Sequence, residues 1–275
     1  MSKITGMAAA GVSRISSSSY SNTAPLVWSF LYGPHRGSVE LIMDTAPARS
    51  AQLLAEDRVD AALVPVIASQ SIDDVKVIPD ICVGTERSVK SVCLITNGCE
   101  LSDAKSVALD ISSRTSVALT KVIFREFYGR EPQWIDAEPD IDAMLAAADA
   151  ALLIGDPALK IAAGEKQDTG VRCFDLAEVW HTFTGLGFIF AMWMTQRDRC
   201  DVALAEARDE GTAHIAEIAS NYTSGTGLSH SAMVDYLSNN ITYRPSRSML
   251  DGLDLYLKLA HEHGLIPNAP ILKFL

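Results

Sequence analysis

The segment from Ala108 to Phe124 constrains the fold more than any other, because it joins a strand, a polar turn and an amphipathic helix. The strand-like part ends at Leu109, and apolar residues from Val117 to Ile123 then recur at helical spacing. Ser112 and Ser113 occupy the position of a helix N-cap, where serine is a favoured residue. The segment therefore predicts an α/β unit whose helix begins at a sheet edge.

The start of this helix is rich in hydroxyl groups. The free N–H groups and the positive dipole end of a first helical turn can hold a carboxylate or phosphate. The alternative is ordinary capping without a ligand. A second polar turn, residues 16–22, precedes Thr23 and Pro25 in a helix-start pattern and favours a binding site. The candidate ligand-binding hydroxyls of the first turn are Ser112, Ser113, Thr115 and Ser116.

Composition excludes several classes of function. The 275 residues allow two modest domains or one large one, and 48% hydrophobic residues suit a globular core. A net charge of −11 argues against nucleic-acid and anionic-membrane partners. An anionic substrate would need local positive potential from helix termini or from a cation such as Lys90 or Arg114. Otherwise these two are ordinary surface groups.

Cysteine usage and hydropathy predict a cytoplasmic protein. The five cysteines are odd in number, scattered and without a CxxC pair, which fits reduced thiols better than disulfides or a zinc site. No run approaches the roughly 18 apolar residues of a membrane span. The first residues resemble a disordered leader more than a secretory signal, because their apolar core is short and weak.

The order of predicted elements indicates a two-lobed α/β protein. Strands and helices alternate to about residue 195, and helices follow, including one predicted from Asp201 to Ser220. The long apolar strands Val89–Thr96 and Leu186–Met194 are candidates for the crossings between lobes. We therefore expect one lobe from residues 1–96 plus 191–275, a second from 97–190, and a ligand cleft between them.

Several segments in chain order resemble the menaquinone-biosynthesis chorismate dehydratases of the futalosine route. The resemblance covers nearly the whole chain from about residue 12, and its specificity comes from the motifs taken together. The segments are SYSNTAPL (19–26), DAALVP (60–65), SVKSVCL (88–94), ALDISSRTSVALTKV (108–122), ALLIGDPAL (151–159), NNITYR (239–244) and GLDLYLKLAHEHGLIP (252–267).

This resemblance implies a type-II periplasmic-binding-protein fold and the dehydration of chorismate, a small dicarboxylate, to 3-[(1-carboxyvinyl)oxy]benzoate. The reaction it implies needs no redox cofactor and no metal. Asn22 is the implied catalytic residue, acting through hydrogen bonds, and the proton acceptor is hypothesised to be the substrate's own enolpyruvyl carboxylate because an amide is a poor base.

The remaining candidate residues cluster in the same motifs. Gly155 and Asp156 end a buried strand and would face the cleft, although Asp156 could instead cap a helix before Pro157. Alternation along the crossing strand could direct Ser88 and Ser91 into the cleft. The full set of expected substrate-binding residues is Ser19, Tyr20, Thr23, Ser88, Ser91, Ser112, Ser113, Arg114, Thr115, Ser116, Gly155 and Asp156.

Two other functions stay open on the sequence. The sister enzyme of the same route, 1,4-dihydroxy-6-naphthoate synthase, would require a deeper, more apolar cleft and a histidine base. A solute-binding protein for a small carboxylate would require export, which the weak N-terminal signal disfavours. The histidines offer no metal motif, because His261 and His263 point to different faces of one helix. Oligomeric state is not predicted.

Overall fold

Strands and helices alternate up to residue 195, and helices dominate thereafter. The computed structural model describes residues 12–164 and 170–275, and the leader predicted before residue 12 lies outside them. The strands are β1 (Ser13–Ser18), β2 (Val39–Asp44), β3 (Ala61–Pro65), β4 (Lys76–Thr85), β5 (Val92–Thr96), β6 (Ser106–Asp110), β7 (Gln133–Ala137), β8 (Ala150–Ile154), β9 (Arg172–Asp175), β10 (Phe188–Thr195) and β11 (Lys273–Phe274).

Two helices begin directly after the polar turns that predicted them, at Ala24 and Arg114. The helices are α1 (Ala24–Leu31), α2 (Pro47–Ala55), α3 (Arg114–Val122), α4 (Ile141–Ala147), α5 (Gly155–Ala162), α6 (Leu176–Thr184), α7 (Leu204–Ala213), α8 (Ile215–Ser220), α9 (Thr223–Thr226), α10 (His230–Asp235) and α11 (Arg247–Glu262). Short π-helical turns follow α3 at Ile123–Phe127 and α10 at Tyr236–Asn240.

Two sheets define the two lobes. The first has the strand order β11-β4-β10-β3-β1-β2, and the second has the order β7-β6-β8-β5-β9. In the first sheet β10 runs antiparallel to both of its neighbours, β3 and β4. In the second sheet β6 is parallel to β7 and β8, whereas β5 is antiparallel to β8 and β9.

Both faces of the second sheet are covered, which explains its continuous apolar strands. Val92 and Leu94 of β5 belong to the large core cluster, whereas Cys93 and Ile95 belong to a smaller cluster on the other face. Successive side chains of a strand point to opposite faces, so a strand buried on both sides shows no polar alternation.

The crossing from the first lobe to the second lies earlier than predicted. The expected boundaries at residues 96 and 190 put Val92–Thr96 in the first lobe, but this strand pairs within the second sheet. Extended structure does not begin at Val89, because Lys90 has φ +57°. The Lys90 N–H donates to Asp175 at 2.6 Å, which fixes the crossing against the start of α6.

The helix predicted from Asp201 to Ser220 is two helices. α7 ends at Ala213, His214 has φ −110°, and α8 starts at Ile215. The His214 ring stacks on Trp28 of α1 with ring centroids 4.0 Å apart. Gly211 of α7 lies directly against the backbone of Pro25, where a Cβ would meet the Pro25 carbonyl oxygen at 1.8 Å. This close approach of α1 and α7 accompanies the break.

Candidate functional site

A cavity lies between the two sheets and receives residues from both lobes. It encloses about 560 Å³ of space between atoms, part of it open to solvent. Most of its wall is apolar, and hydroxyl and amide groups occupy limited parts of it. The lining residues are Ser18, Tyr20, Asn22, Thr23, Pro47, Leu63, Pro65, Val83, Val89, Val92, Ser113, Thr115, Ser116, Ile154, Gly155, Phe190 and Ala191. We call this space the interlobe cavity.

The amino terminus of α3 opens onto the interlobe cavity. Ser113 is the N-cap residue, and its Oγ accepts from the Ser116 N–H at 3.4 Å. Within the described residues, the N–H groups of Arg114 and Thr115 have no hydrogen-bond acceptor. Such groups, together with the helix dipole, favour an anion. The predicted hydroxyls of Ser113, Thr115 and Ser116 all line the cavity.

Asp110 organises the turn that precedes α3, and sequence reasoning missed it. Its Oδ1 accepts from the Ser112 N–H at 2.9 Å and from the Ser112 hydroxyl at 2.6 Å. The side chain is fully buried, and in the described part of the chain Oδ2 has no hydrogen-bond partner. Burial raises the pKa of Asp110, and the bonds from Ser112 oppose this rise. Ser112 is therefore held by Asp110 and does not line the cavity.

The second polar turn reaches the cavity from the first lobe. Thr23 closes this turn, because its hydroxyl lies 2.7 Å from the Ser18 carbonyl oxygen and 2.9 Å from that of Tyr20. Asn22 lines the cavity, and its Nδ2 donates to the Ser91 hydroxyl at 3.4 Å. The helix-start pattern predicted the turn that ends at Thr23, and the family resemblance implied Asn22; both residues line the cavity.

Tyr20 packs on Gly155 across the interlobe cavity. Gly155 has φ +66°, and a Cβ placed on it would lie 2.7 Å from three atoms of the Tyr20 ring. Both the backbone conformation and the close approach therefore require glycine. Burial raises the pKa of the Tyr20 hydroxyl to about 12, and the nearby Asp110 carboxylate adds to this rise.

Asp156 contacts the first lobe and does not line the cavity. The Ser21 N–H lies 3.2 and 3.3 Å from its two carboxylate oxygens, and the Ser21 hydroxyl also donates to Oδ1. The alternative that Asp156 caps the following helix is wrong, because Ile154 occupies the cap position. Burial raises the pKa of Asp156, while the bonds from Ser21 and the charge of Lys160 lower it.

Four other expected residues lie beside the cavity without lining it. The Ser19 N–H donates to the Asp44 carbonyl, and the Ser88 hydroxyl donates to Asp175 at 2.7 Å. Ser91 is fully buried behind Asn22, and its carbonyl accepts from the Gly155 N–H at 2.7 Å. Arg114 is exposed on a different face of α3, in a groove with Lys121, because the cavity face of the helix carries Thr115 and Ser116.

The apolar wall was not predicted as part of a site. Leu63, Val89 and Phe190 line the cavity, yet in sequence they are indistinguishable from ordinary core residues of buried strands. Tyr236 is also unpredicted: it is fully buried, and its hydroxyl lies close to the side chains of Ser91, Ser21 and Asn22. Its only sequence signal was its position shortly before the NNITYR motif.

The ranges 12–164 and 170–275 lack two further kinds of functional feature. They contain no group of three or more histidine, cysteine, aspartate or glutamate side chains arranged to hold a metal ion. Nor does any helix in those ranges have both the length and the apolar character needed to cross a membrane.

Comparison with known proteins confirms the family resemblance and the predicted fold class. A family model described as menaquinone biosynthesis matches residues 13–262. A protein of Thermus thermophilus named chorismate dehydratase is 31% identical over 238 residues, which are 80% of this chain and 85% of that protein.

Solved structures show the same fold. A crystal structure from Archaeoglobus fulgidus has a TM-score of 0.73 at 17% identity, covering 92% of this chain and 98% of that one. The periplasmic aliphatic sulphonate binding protein SsuA from Escherichia coli has a TM-score of 0.63 at 18% identity, covering 93% of this chain and 88% of its own. The fold is therefore two-lobed, α/β and like that of periplasmic binding proteins.

Proposed function

Because the chain belongs to the menaquinone-biosynthesis family, we propose that it is a chorismate dehydratase, a lyase of the futalosine route. It converts chorismate to 3-[(1-carboxyvinyl)oxy]benzoate and water. The relative of that name supports the reaction. The observation that supports the substrate class is the amino terminus of α3, where hydroxyls and N–H groups without an acceptor among the described residues face a mostly apolar cavity.

The reaction is a 1,2-elimination that makes the ring aromatic. The C3–H bond breaks, its electron pair becomes part of the ring, and the C4–O bond breaks with its electrons on the departing hydroxyl. The proton from C3 and the hydroxyl leave together as water, so atoms and charge balance. Such a step needs two carboxylates held in place, a hydrogen-bond donor to the leaving hydroxyl and a base near C3.

One substrate carboxylate is proposed to bind the first turn of α3. The N–H groups of Arg114 and Thr115 and the hydroxyls of Ser113 and Ser116 supply donors that a carboxylate accepts. The helix dipole contributes about 0.3–1 kcal/mol at an exposed site and up to about 2 kcal/mol at a partly buried one. This local potential is what an anionic substrate needs in a protein with net charge −11.

Asn22 is proposed to act on the leaving hydroxyl or on the carboxylate that accepts the proton. Its Nδ2 has two N–H donors, of which the Ser91 hydroxyl takes one. A side-chain amide is a poor base, so the proton from C3 is proposed to pass to the substrate's enolpyruvyl carboxylate and from there to the departing hydroxyl, which leaves as water. Leu63, Val89 and Phe190 would exclude water from the ring, which strengthens these hydrogen bonds.

The test is to incubate purified protein with chorismate and to follow products by chromatography and mass spectrometry. We expect an aromatic product lighter by one water. Asn22→Ala is expected to lower kcat by about 100-fold or more, the effect of removing one donor aimed at developing charge. Asn239→Ala is the matched control, because Asn239 is exposed and its side chain donates to Asp235 on the surface. Near-normal turnover by Asn22→Ala would refute its role.

The two rival functions give different results in the same assay. For 1,4-dihydroxy-6-naphthoate synthase a histidine base is expected, and the residues that line the cavity in the described chain include no histidine. Unchanged chorismate with a thermal shift would favour a binding protein, and no shift would favour the sister enzyme's substrate. Cell fractionation tests the cytoplasmic location, which stays a prediction.

A further inference from the structure

Three consecutive residues of the first lobe each contact the second lobe. The Tyr20 ring covers Gly155, Ser21 donates twice to Asp156, and Asn22 donates to Ser91. Ser21 and Asp156 lie 135 positions apart in sequence, and Ser21 is fully buried between the lobes. The contact at Ser21 is the most polar of the three, because a carboxylate accepts both a backbone N–H and a hydroxyl.

Asp156 is suited to holding Ser21 and unsuited to binding a dicarboxylate. A carboxylate is an acceptor that would repel the carboxylates of the substrate, and both oxygens already face the Ser21 N–H. Asp156 lies in the first turn of α5, where the helix dipole stabilises an anion that accepts such hydrogen bonds. Because Asp156 belongs to the second lobe and Ser21 to the first, the bond between them depends on the distance between the lobes.

The bond at Ser21 also controls the neighbouring Asn22. Ser21–Thr23 is a single 3₁₀ turn that leads into α1, so the orientation of the Ser21 peptide sets the direction of the Asn22 side chain. If the lobes separate, Ser21 loses Asp156 and Asn22 loses Ser91 in the same motion. The donors of α3, by contrast, belong wholly to the second lobe and keep their geometry.

Resting on the proposed function, we propose that Asp156 is a positioning residue that ties the placement of Asn22 to closure of the two lobes. The substrate carboxylates bind first at α3, whether the lobes are open or closed. The hydrogen-bonding amide reaches the reacting ring only when Asp156 holds Ser21, so chemistry is confined to the closed, water-excluding cavity.

The test compares Asp156→Ala with Asp149→Ala. Asp149 is the matched control, because it also accepts from a serine N–H and hydroxyl, those of Ser106, but within one lobe. Asp156→Ala is expected to lower kcat for chorismate by about 10- to 100-fold, the cost of misplacing a reacting group. Its KM is expected to change little, because the substrate carboxylates bind at α3 whether the lobes are open or closed. Asp149→Ala should keep the wild-type kcat.

Two further measurements separate positioning from general destabilisation. In an Asn22→Ala background, Asp156→Ala should cause no further loss of the residual rate, because both changes remove the same contribution. Asp156→Asn keeps one acceptor oxygen and should recover part of kcat, and Ser21→Ala should lower kcat in the same direction. Full additivity of the two losses, or an unchanged kcat in Asp156→Ala, would overturn the proposal.

Small-angle X-ray scattering tests the tie between lobes without relying on turnover. Asp156→Ala is expected to show a larger radius of gyration than the wild type, and Asp149→Ala is expected to match the wild type. An unchanged radius in Asp156→Ala would overturn the proposal. If the wild-type protein does not convert chorismate, a larger radius would support the interlobe tie, while the proposed function would fail separately.

Discussion

Replacing Gly155 with alanine is expected to lower the free energy of unfolding by about 2–5 kcal/mol. The residue has φ +66°, and its new Cβ would lie 2.7 Å from three atoms of the Tyr20 ring. A left-handed backbone costs a non-glycine residue about 1–2 kcal/mol. Overpacking against the ring adds about 1–3 kcal/mol. The two contributions together give the expected loss.

The assay is urea denaturation, at one pH, of the wild type and four variants: Gly155→Ala, Gly185→Ala, Tyr20→Ala and the double variant Tyr20→Ala/Gly155→Ala. Gly185→Ala is the control for the backbone alone, because Gly185 has φ +70° and nothing would lie within 4 Å of its Cβ. It should lose only about 1–2 kcal/mol. In a Tyr20→Ala background, Gly155→Ala should cost no more than Gly185→Ala, because the ring is gone. Equal losses for Gly155→Ala and Gly185→Ala in the wild-type background would refute the contact between Gly155 and Tyr20.

Three further predictions concern caps, pH and helix packing. Ser113→Ala removes the N-cap of α3 and should lower the free energy of unfolding by about 1 kcal/mol; it should also weaken chorismate binding measured by calorimetry. Ser229→Ala removes the N-cap of α10 and should cost a similar stability while leaving binding unchanged. The pKa of Asp110 is raised above its unfolded value of about 3.9. The folded state therefore binds this proton more tightly than the unfolded state does. As pH rises from about 3.9 through the folded pKa, the wild type should lose stability relative to Asp110→Asn. If urea denaturation gives the same difference in the free energy of unfolding between the two proteins at every pH, the prediction is wrong. Gly211→Ala should cost about 3 kcal/mol or more in thermal unfolding, because its Cβ meets the Pro25 carbonyl at 1.8 Å, and a wild-type Tm would disprove the close approach.

The parts of the site that could be predicted are those set by local sequence. Ser113, Thr115 and Ser116 were found because a helix start is encoded by a few adjacent residues. Asn22 came from the family motif, and the helix-start pattern around it agrees with its position at the cavity. Gly155 was expected at the cleft because it follows a buried strand, although its contact with Tyr20 was not.

The parts that could not be predicted depend on pairing between distant segments. Nothing near Asp156 indicates Ser21 as its partner, because the contact spans 135 positions. Whether Arg114 faces the cavity or another side of α3 could not be predicted, because this depends on how the lobes pack. The lobe of Val92–Thr96 was missed for a similar reason: a strand buried on both faces has the same apolar run in either sheet, and only its neighbours decide where it belongs.

The position of β10 in the first sheet has a consequence for synthesis of the chain. β3 and β4 do not pair with each other; each pairs with Phe188–Thr195, which the ribosome makes only after the whole second sheet. The second sheet is contiguous, from Val92 to Asp175, so its strands are all available first. Until β10 emerges, β3 and β4 keep unpaired edges, which are prone to aggregation. The lobe that begins the chain is therefore the last to be completed, and the wall of the interlobe cavity lacks Phe190 and Ala191 until β10 is in place.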